Sequence, residues 1–169
     1  MSVDQALDYR RATMEDALLL WRWANDPETR RNSFTKRAIP LAEHEGWLER
    51  RLASPTTRLW IFSDAEGPMG QVRCELEGPT AELHISVAPE RRGRGHGKSM
   101  LGRAVELTRA AHGDRVKIRA SVLEDNARSL ALFRACGFEP VDATESPEGG
   151  RAIMFEWTRA PGGRARNAD

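Results

Sequence analysis

A short segment rich in glycine and basic residues joins a strand pattern to a helix pattern in the middle of the chain. Residues 92–98 read RGRGHGK; the alternating run Glu82–Val87 precedes them, and apolar residues at helical spacing follow over Met100–Ala111. Glycine lets a backbone turn tightly and approach a ligand, and the amides of such a turn, with the start of a helix, form an anion site. This order therefore predicts an α/β chain that binds a diphosphate.

The spacing of the glycines excludes two common diphosphate-binding motifs. A Walker A loop ends in Gly-Lys-Ser, as Gly97-Lys98-Ser99 does, but its first glycine would stand where Arg92 stands. A dinucleotide-binding fingerprint needs the glycines in another register and an acidic residue on the following strand. The pattern that fits is Arg-x-x-Gly-x-Gly, formed by Arg92, Gly95 and Gly97.

A second segment follows in matching order. Residues 115–122 alternate like a strand, and residues 124–138 place Asn126 before a short apolar helix that ends in Gly137 and a phenylalanine. Asn126 can cap the start of that helix, and Gly137 can adopt the left-handed conformation that ends it. The two segments together resemble the coenzyme A-binding signature of the GNAT superfamily of N-acetyltransferases, and the resemblance covers residues 8–158.

The resemblance implies an α/β architecture, the GNAT fold. It has a mixed sheet of six to seven strands, about four helices, and central parallel strands that splay apart around an acyl-coenzyme A. Here those strands would end near Val87 and Val122. Residues 1–160 are expected to form this single domain, with residues 161–169 as a flexible C-terminal tail. A homodimer is possible, since homodimers are common in the superfamily.

The resemblance also implies acetyl-CoA as co-substrate. Its diphosphate would lie on the glycine-rich loop, and its pantetheine arm along the unpaired edge of the strand before it. No metal is expected, because the four histidines lack zinc-ligand spacing. The residues expected to bind the coenzyme are Ile85, Val87, Arg92, Gly93, Arg94, Gly95, His96, Gly97, Lys98, Asn126, Ser129 and Phe133.

Acetyl transfer to an amine requires a neutral amine, and therefore a group or solvent that takes its proton. Glu82, His84 and Ser86 share one face of the strand that leads to the loop, and Glu75 lies on the strand before. His84 is the first candidate base because an imidazole titrates near pH ~6.5; Glu82 and Glu75 are the alternatives. A half-solvated strand face would give the same pattern.

Phe133 departs from the family pattern. Many relatives carry a tyrosine at this position, one helical turn before Gly-Phe, and phenylalanine has no proton to give to the departing thiolate. The chain therefore either transfers acetyl without a general acid here or has lost activity. We favour transfer.

The region between the first strand and the second helix is rich in tryptophan and arginine, and relatives shape the acceptor pocket there. Trp21 is expected in the core, and Trp23 on the surface, where it can stack on a base or sugar. The arginines can hold phosphate groups, although a lid of solvated arginines explains them equally well. The expected acceptor-binding residues are Trp23, Asn25, Arg30, Asn32 and His44.

Residues 21–27, with the pattern Trp-Arg-x-x-Asn-Asp-Pro, resemble a subgroup of GNAT enzymes from nucleotide-sugar pathways. That subgroup includes the N-acetyltransferase of pseudaminic acid synthesis, and part of the pattern occurs in ribosomal-protein acetyltransferases. The implied acceptor is a small-molecule amine such as a UDP-linked 4-amino sugar. A protein N-terminus and a non-catalytic acyl-CoA-binding module are the alternatives.

Composition narrows the partners. The 26 Lys and Arg residues balance 25 Asp and Glu residues, so no net field draws the chain to nucleic acid. No run approaches the ~20 apolar residues of a membrane helix, and the N-terminus lacks the apolar core of a signal peptide. Cys74 and Cys136 are expected as free thiols in a reducing cytoplasm.

Overall fold

The computed structural model describes residues 7–158, which form seven strands and five helices. The predicted tail at 161–169 lies outside the described residues. Two short 3₁₀ turns cover Met14–Asp16 and Pro89–Arg91. The strands are β1 (Asp8–Arg11), β2 (Thr57–Asp64), β3 (Gly67–Glu77), β4 (Thr80–Val87), β5 (Lys117–Leu123), β6 (Phe138–Glu145) and β7 (Arg151–Trp157); the helices are α1 (Ala17–Ala24), α2 (Pro27–Arg31), α3 (Leu41–Ala53), α4 (His96–His112) and α5 (Ala127–Ala135).

The strands form one mixed sheet in the order β1-β2-β3-β4-β5-β7-β6. All neighbouring strands are antiparallel except β4 and β5, which are parallel. The parallel pairing joins 80–82 to 117–119 and stops there, although both strands continue for several residues. This splay confirms the predicted fold, and it leaves the edge of β4 that faces β5 without a ladder partner beyond Glu82.

Helices cover both faces of the central sheet because its strands alternate apolar residues on each face. Helix α4 packs on β3 and β4, where Val72, Cys74 and Leu83 are almost completely buried. Helices α1 and α3 pack on the opposite face, over Leu59 and Ile61 of β2. The polar residues of β3 and β4 lie on this second face, which becomes important for the site.

The burial expected for the two tryptophans of α1 is wrong. Trp23 is 4% exposed and packs in the core between α1, α3 and the sheet. Trp21 is half-buried, and its Nε1 donates to the Ile39 carbonyl at 2.8 Å. Residues two apart on a helix point in different directions, so only one of the pair can face inward. Trp23 is the inward one, because it follows Ala17 and Leu20 at intervals of three residues and so lies on the same helix face.

Helix α2 and strand β6 carry weak sequence signals. Helix α2 has only five residues; Pro27 opens it, and the Asp26 carboxylate accepts from the Thr29 amide at 3.1 Å. Strand β6 carries no alternating apolar pattern because it is an edge strand whose residues after Phe138 are nearly all exposed. Both free cysteines are confirmed, Cys74 buried and Cys136 half-buried.

Candidate active site

The splay between β4 and β5 opens into a cleft of about 360 Å³, here called the coenzyme cleft. Its walls are the end of β4, the glycine-rich loop with the start of α4, the start of α5, and α2 with the residues that follow it. The predicted coenzyme-binding residues that line it are Ile85, Val87, Arg92, Gly93, Gly95, His96, Gly97, Lys98, Asn126 and Ser129. Arg94 and Phe133 are not part of its lining.

Glycines give the loop its shape. Gly93 and Gly95 have φ values of 75° and 81°, in the left-handed region that other residues avoid, and Gly95 caps the N-terminus of α4. A Cβ on Gly97 would lie 3.2 Å from Leu132 Cδ2, so this glycine allows α4 and α5 to approach closely. The first amides of the 17-residue helix α4 thus meet the cleft, where they can bind an anion.

The two arginines of the loop are engaged by carboxylates. Arg94 is exposed, and its Nη1 lies 3.3 Å from Glu66 Oε2, outside the cleft. Arg92 contacts α2: its Nη2 lies 2.8 Å from Asp26 Oδ2, and its Nη1 lies 3.1 Å from Glu28 Oε2. The Arg92 side chain therefore ties the coenzyme loop to α2, a link between distant segments that the motif does not reveal.

Helix α5 forms the other wall as the sequence predicts. The Asn126 side chain accepts from the Ser129 amide at 3.2 Å, and Gly137 after the helix has a φ of 85°. Phe133 is 3% exposed and packs edge-on against Phe138, with ring centroids 5.1 Å apart. It lines a second cleft rather than the coenzyme cleft.

This second cleft has a volume of about 500 Å³ and is here called the acceptor cleft. It lies between α1, α3, the polar face of β3 and β4, and the start of α5. Of the predicted acceptor-binding residues, Trp23, Arg30, Asn32 and His44 line it. The two clefts share residues at the end of β4 and the start of α5, namely Ile85, Ser86, Asn126 and Ser129.

Asn25 and Arg30 hold the segment that precedes α3. Asn25 lies outside the lining of both clefts; its Oδ1 accepts from the Ile39 amide at 2.7 Å, and its Nδ2 donates to the Ile39 carbonyl at 3.1 Å. Asn25 thus anchors the segment at Ile39, and its predicted contact with an acceptor stays a prediction. The Arg30 guanidinium donates to the carbonyls of Ala24 and Thr35 and to Ser33 Oγ, all neutral acceptors.

The three candidate bases meet on the polar face of the sheet, but only His84 lines the acceptor cleft. Its Nε2 lies 3.7 Å from Glu75 Oε2 and 4.0 Å from Glu82 Oε1. Burial, together with the nearby guanidinium groups of Arg73 and Arg51, lowers the pKa of His84 to about 3. The imidazole is therefore neutral at physiological pH and is a far weaker base than the sequence suggests.

Several cleft residues escaped the sequence-based selection. Gln71 and Arg73 of β3 and Trp47 and Arg50 of α3 line the acceptor cleft. The Arg73 guanidinium carbon lies 5.1 Å from the centroid of the Trp47 ring, and its Nε lies 2.9 Å from Glu75 Oε1. The alternation of Gln71 and Arg73 with buried Val72 and Cys74 is the signal that marks this polar face.

The acceptor cleft carries an excess of positive charge. Glu43 is the only carboxylate in its lining among the described residues, and the Arg37 guanidinium binds it through two contacts of 2.6 and 3.0 Å. Arg30, Arg50 and Arg73 also line the cleft. Within residues 7–158, neither Arg30 nor Arg50 has a carboxylate within 4.0 Å. Anionic groups are therefore favoured there.

Two absences apply to residues 7–158. They contain no group of three or more metal-ligating side chains placed to hold a metal ion. No helix in that part of the chain is long and apolar enough to cross a membrane.

Two curated relatives are mycothiol acetyltransferases. The one from Beutenbergia cavernae is 31% identical over 123 residues, which cover 70% of this chain and 38% of the relative. The one from Clavibacter michiganensis is 33% identical over 98 residues, which cover 55% of this chain and 31% of the relative. The chain thus spans well under half of the length of the curated relatives it matches.

Solved structures share the fold. Spermidine N-acetyltransferase from Vibrio cholerae, in complex with CoA and spermine, has a TM-score of 0.78 at 19% identity, covering 89% of this chain and 94% of that one. Aminoglycoside acetyltransferase AAC(6')-Ib, in complex with ribostamycin and coenzyme A, has a TM-score of 0.78 at 20% identity, covering 96% and 99%.

The family model for the acetyltransferase (GNAT) domain matches residues 7–139. That match includes the glycine-rich loop, the splayed strands and the capped helix α5. The chain therefore belongs to the GNAT acetyltransferase family.

Proposed function

We propose that this protein transfers acetyl from acetyl-CoA directly to a primary amine of a small molecule. The coenzyme lies in the coenzyme cleft and the acceptor in the acceptor cleft. The observation that carries this proposal is the junction of the two clefts at Ile85 and Ser86, on the part of β4 that has no β5 partner. A thioester and an amine that enter from opposite sides meet there.

The backbone supplies most of the coenzyme contacts. The amides of residues 93–98 bind the diphosphate, with Lys98 adding a full charge. The pantetheine arm bonds the free edge of β4 at Ile85 and Val87, as a paired strand would. The amide of Val87 polarises the thioester carbonyl.

His84 acts as a hydrogen-bond acceptor for the amine rather than as a strong base. A group with a pKa of about 3 does not retain a proton taken from an ammonium at neutral pH. The amine therefore reacts from its neutral fraction, and its proton passes to solvent after the bond to the acetyl carbon forms. The carboxylates of Glu75 and Glu82 lie 3.7 and 4.0 Å from His84 Nε2, beyond hydrogen-bond distance.

The thiolate leaves without a general acid at Phe133. A thiol has a pKa near ~8.5, far below the pKa for removing a proton from a neutral amine. Once the nitrogen has lost its proton, the intermediate therefore expels the thiolate rather than the amine nitrogen, even when the thiolate is unprotonated. A buried phenylalanine also keeps water from this side of the acceptor cleft. The alternative of a non-catalytic coenzyme-binding module rests on the same residue, and turnover decides between them.

The acceptor is proposed to carry phosphate, as a UDP-linked 4-amino sugar does. Support comes from Arg30 and Arg50 in the lining, which have no carboxylate within 4.0 Å among residues 7–158, and from the neutralisation of Glu43 by Arg37. Spermine, named in the structure of the Vibrio cholerae relative, is a polycation, and this lining disfavours it. A protein N-terminus remains the alternative acceptor.

The test is mass spectrometry of reactions that contain the protein, acetyl-CoA and one acceptor at a time. The panel is a UDP-linked 4-amino sugar, the same sugar without UDP, spermidine, and a peptide with a free N-terminus. We expect a product heavier by one acetyl group with the nucleotide sugar and a much slower reaction with the free sugar. Equal rates for the two sugars contradict phosphate recognition, and acetylation of the peptide alone favours the alternative. No product in any reaction, with acetyl-CoA bound, favours the binding module.

A further inference from the structure

Helix α2 and the two residues that follow it contribute to both clefts. Thr29, Asn32 and Ser33 line the coenzyme cleft and the acceptor cleft alike, and Glu28 lines the coenzyme cleft only. Three ionic contacts hold α2 in place: two join Asp26 and Glu28 to Arg92 of the coenzyme loop, and one joins Glu28 to Arg128 of α5. They differ in burial and in the number of bonds.

The contact between Asp26 and Arg92 has the least exposed side chains. Arg92 Nη2 lies 2.8 Å from Asp26 Oδ2 and donates to Thr29 Oγ1 at 2.8 Å. The side chains of Arg92 and Asp26 are 18% and 17% exposed. Partial burial opposes ionisation of Asp26, but the Thr29 amide and Arg92 outweigh it and lower the pKa of this carboxyl. Asp26, at the start of α2, is therefore held to the coenzyme loop.

The contact to α5 is the weak one. Glu28 Oε1 lies 3.2 Å from Arg128 Nη1, while Glu28 Oε2 lies 3.1 Å from Arg92 Nη1. The Arg128 side chain is 64% exposed, and solvent-exposed pairs of this kind contribute little to stability. A single carboxylate thus reaches from the loop to α5, across the cleft that takes the coenzyme.

A phosphate competes with this carboxylate on favourable terms. Glu28 and Arg128 both lie in the lining of the coenzyme cleft. Arginine binds a phosphate through two parallel charge-assisted bonds, and a phosphate carries more negative charge than a carboxylate. The Glu28 carboxylate also repels any anion that enters the cleft.

We propose that Glu28 is a positioning residue that latches α2 to Arg128, and that a phosphate of the coenzyme replaces it on Arg128. Helix α2 then turns about the Asp26–Arg92 contact and reshapes the acceptor cleft through Thr29, Asn32 and Ser33. Coenzyme binding thereby controls acceptor binding. This inference rests on the proposed coenzyme site.

The first test is the affinity for CoA, measured by calorimetry. We expect E28Q to bind CoA at least about five-fold more tightly and R128Q to bind it more weakly by a similar factor, the lower range of coupling between sites. The matched control is E66Q, which removes a carboxylate beside loop residue Arg94 but outside the cleft. If E28Q binds CoA more weakly, Glu28 merely supports Arg128, and the latch is overturned. An equal gain of CoA affinity in E66Q overturns it as well.

Dephospho-CoA distinguishes the two sources of phosphate. If the R128Q defect disappears with dephospho-CoA, Arg128 binds the 3′-phosphate; if it persists, Arg128 binds the diphosphate. Both results support the latch. No defect with either ligand overturns it.

Hydrogen exchange of the amides over residues 26–34 reads the movement itself. We expect faster exchange there when CoA binds, and fast exchange without CoA in E28Q. Slower exchange of these amides on CoA binding contradicts the release of α2. If the unaltered protein does not bind CoA, both the latch and the proposed function fail. If it binds CoA and E28Q binds CoA with the same affinity, only the latch fails.

Discussion

The two clefts meet at the end of β4 but are built in different ways. One stretch of chain, from Ile85 to Lys98, supplies most of the coenzyme cleft, and it does so with backbone amides and glycines. The acceptor cleft is built from side chains of α1, α2, α3, β3, β4, β5 and α5. The coenzyme cleft should therefore be sensitive to backbone shape, and the acceptor cleft to the charge and identity of single side chains.

The largest effect is expected from G95V. Gly95 has a φ of 81°, which a β-branched residue adopts only with strain of about 1–3 kcal/mol, and relief of that strain deforms the loop. We expect CoA affinity to fall roughly 100-fold in a calorimetric titration, since each ~1.4 kcal/mol is a factor of ten.

The control for this variant is G113V. Gly113 ends α4 with a φ of 85°, and like Gly95 it has no atom within 4 Å of an added Cβ. It is not part of either cleft lining. Equal losses of CoA affinity in the two variants would indicate a general loss of folding rather than a local loop.

R50Q is expected to act on the acceptor cleft alone. A charged hydrogen bond contributes roughly 1.5–3 kcal/mol, so the KM for a phosphate-bearing acceptor should rise about 10-fold or more, while the KM for acetyl-CoA stays unchanged. Steady-state kinetics measure both. R22Q is the matched control, because Arg22 is an exposed cation of α1 outside both clefts. An unchanged acceptor KM in R50Q argues against phosphate recognition by this wall.

H84Q separates a base from a hydrogen-bond acceptor. A neutral hydrogen bond contributes about 0.5–1.5 kcal/mol, so we expect kcat/KM to fall only about 3- to 10-fold. In both proteins kcat/KM should rise with pH through neutrality, following deprotonation of the amine. An inflection near pH 6.5 that H84Q abolishes would show that His84 titrates as the base.

The same substitution should change the pH dependence of stability. The folded-state pKa of His84, about 3, lies below its unfolded value of ~6.5, so the unfolded chain binds the extra proton first. The free energy of unfolding should therefore fall as the pH drops from 6.5 toward 3, and it should fall less steeply in H84Q. Urea unfolding at several pH values measures this slope, and identical slopes would mean that His84 is not desolvated.

The smallest effect is expected from F133Y. If transfer proceeds without an acid at this position, kcat should stay within a few-fold of the original value. A gain of about 100-fold, typical of general acid catalysis, would show that the missing acid limits the rate. F138Y is the control for a hydroxyl added to the same aromatic cluster, since Phe138 contacts Phe133 but lines neither cleft.

The contrast between the clefts is also a contrast in what could be predicted. The glycines of the loop and the cap at Asn126 are local devices whose meaning lies within a few neighbouring residues, and the structure places both in the coenzyme cleft. Trp23 was expected on the surface but is buried in the core, although it also lines the acceptor cleft, and Asn25 anchors the loop at Ile39. Burial depends on partners that are distant in sequence.

His84 shows the same limit in its chemistry. The alternation of β4 correctly places it on a polar face with Glu75 and Glu82. The arginines that shift its pKa come from β3 and α3, and their proximity depends on how those elements pack. A period-two pattern therefore finds the candidate but not its protonation state.

By itself the sequence identified the glycine-rich loop, the cap at Asn126 and the alternation of the strands, because these are short-range properties. The resemblance to the family supplied the expectation of a splayed α/β sheet that binds a coenzyme. Only the tertiary structure decided which arginines face the acceptor cleft and which are engaged by carboxylates. It also showed that Glu28 reaches both Arg92 and Arg128. Those contacts join α2, the loop and α5, segments far apart in the chain, and electrostatic pairing between them depends on distances that only the folded chain defines.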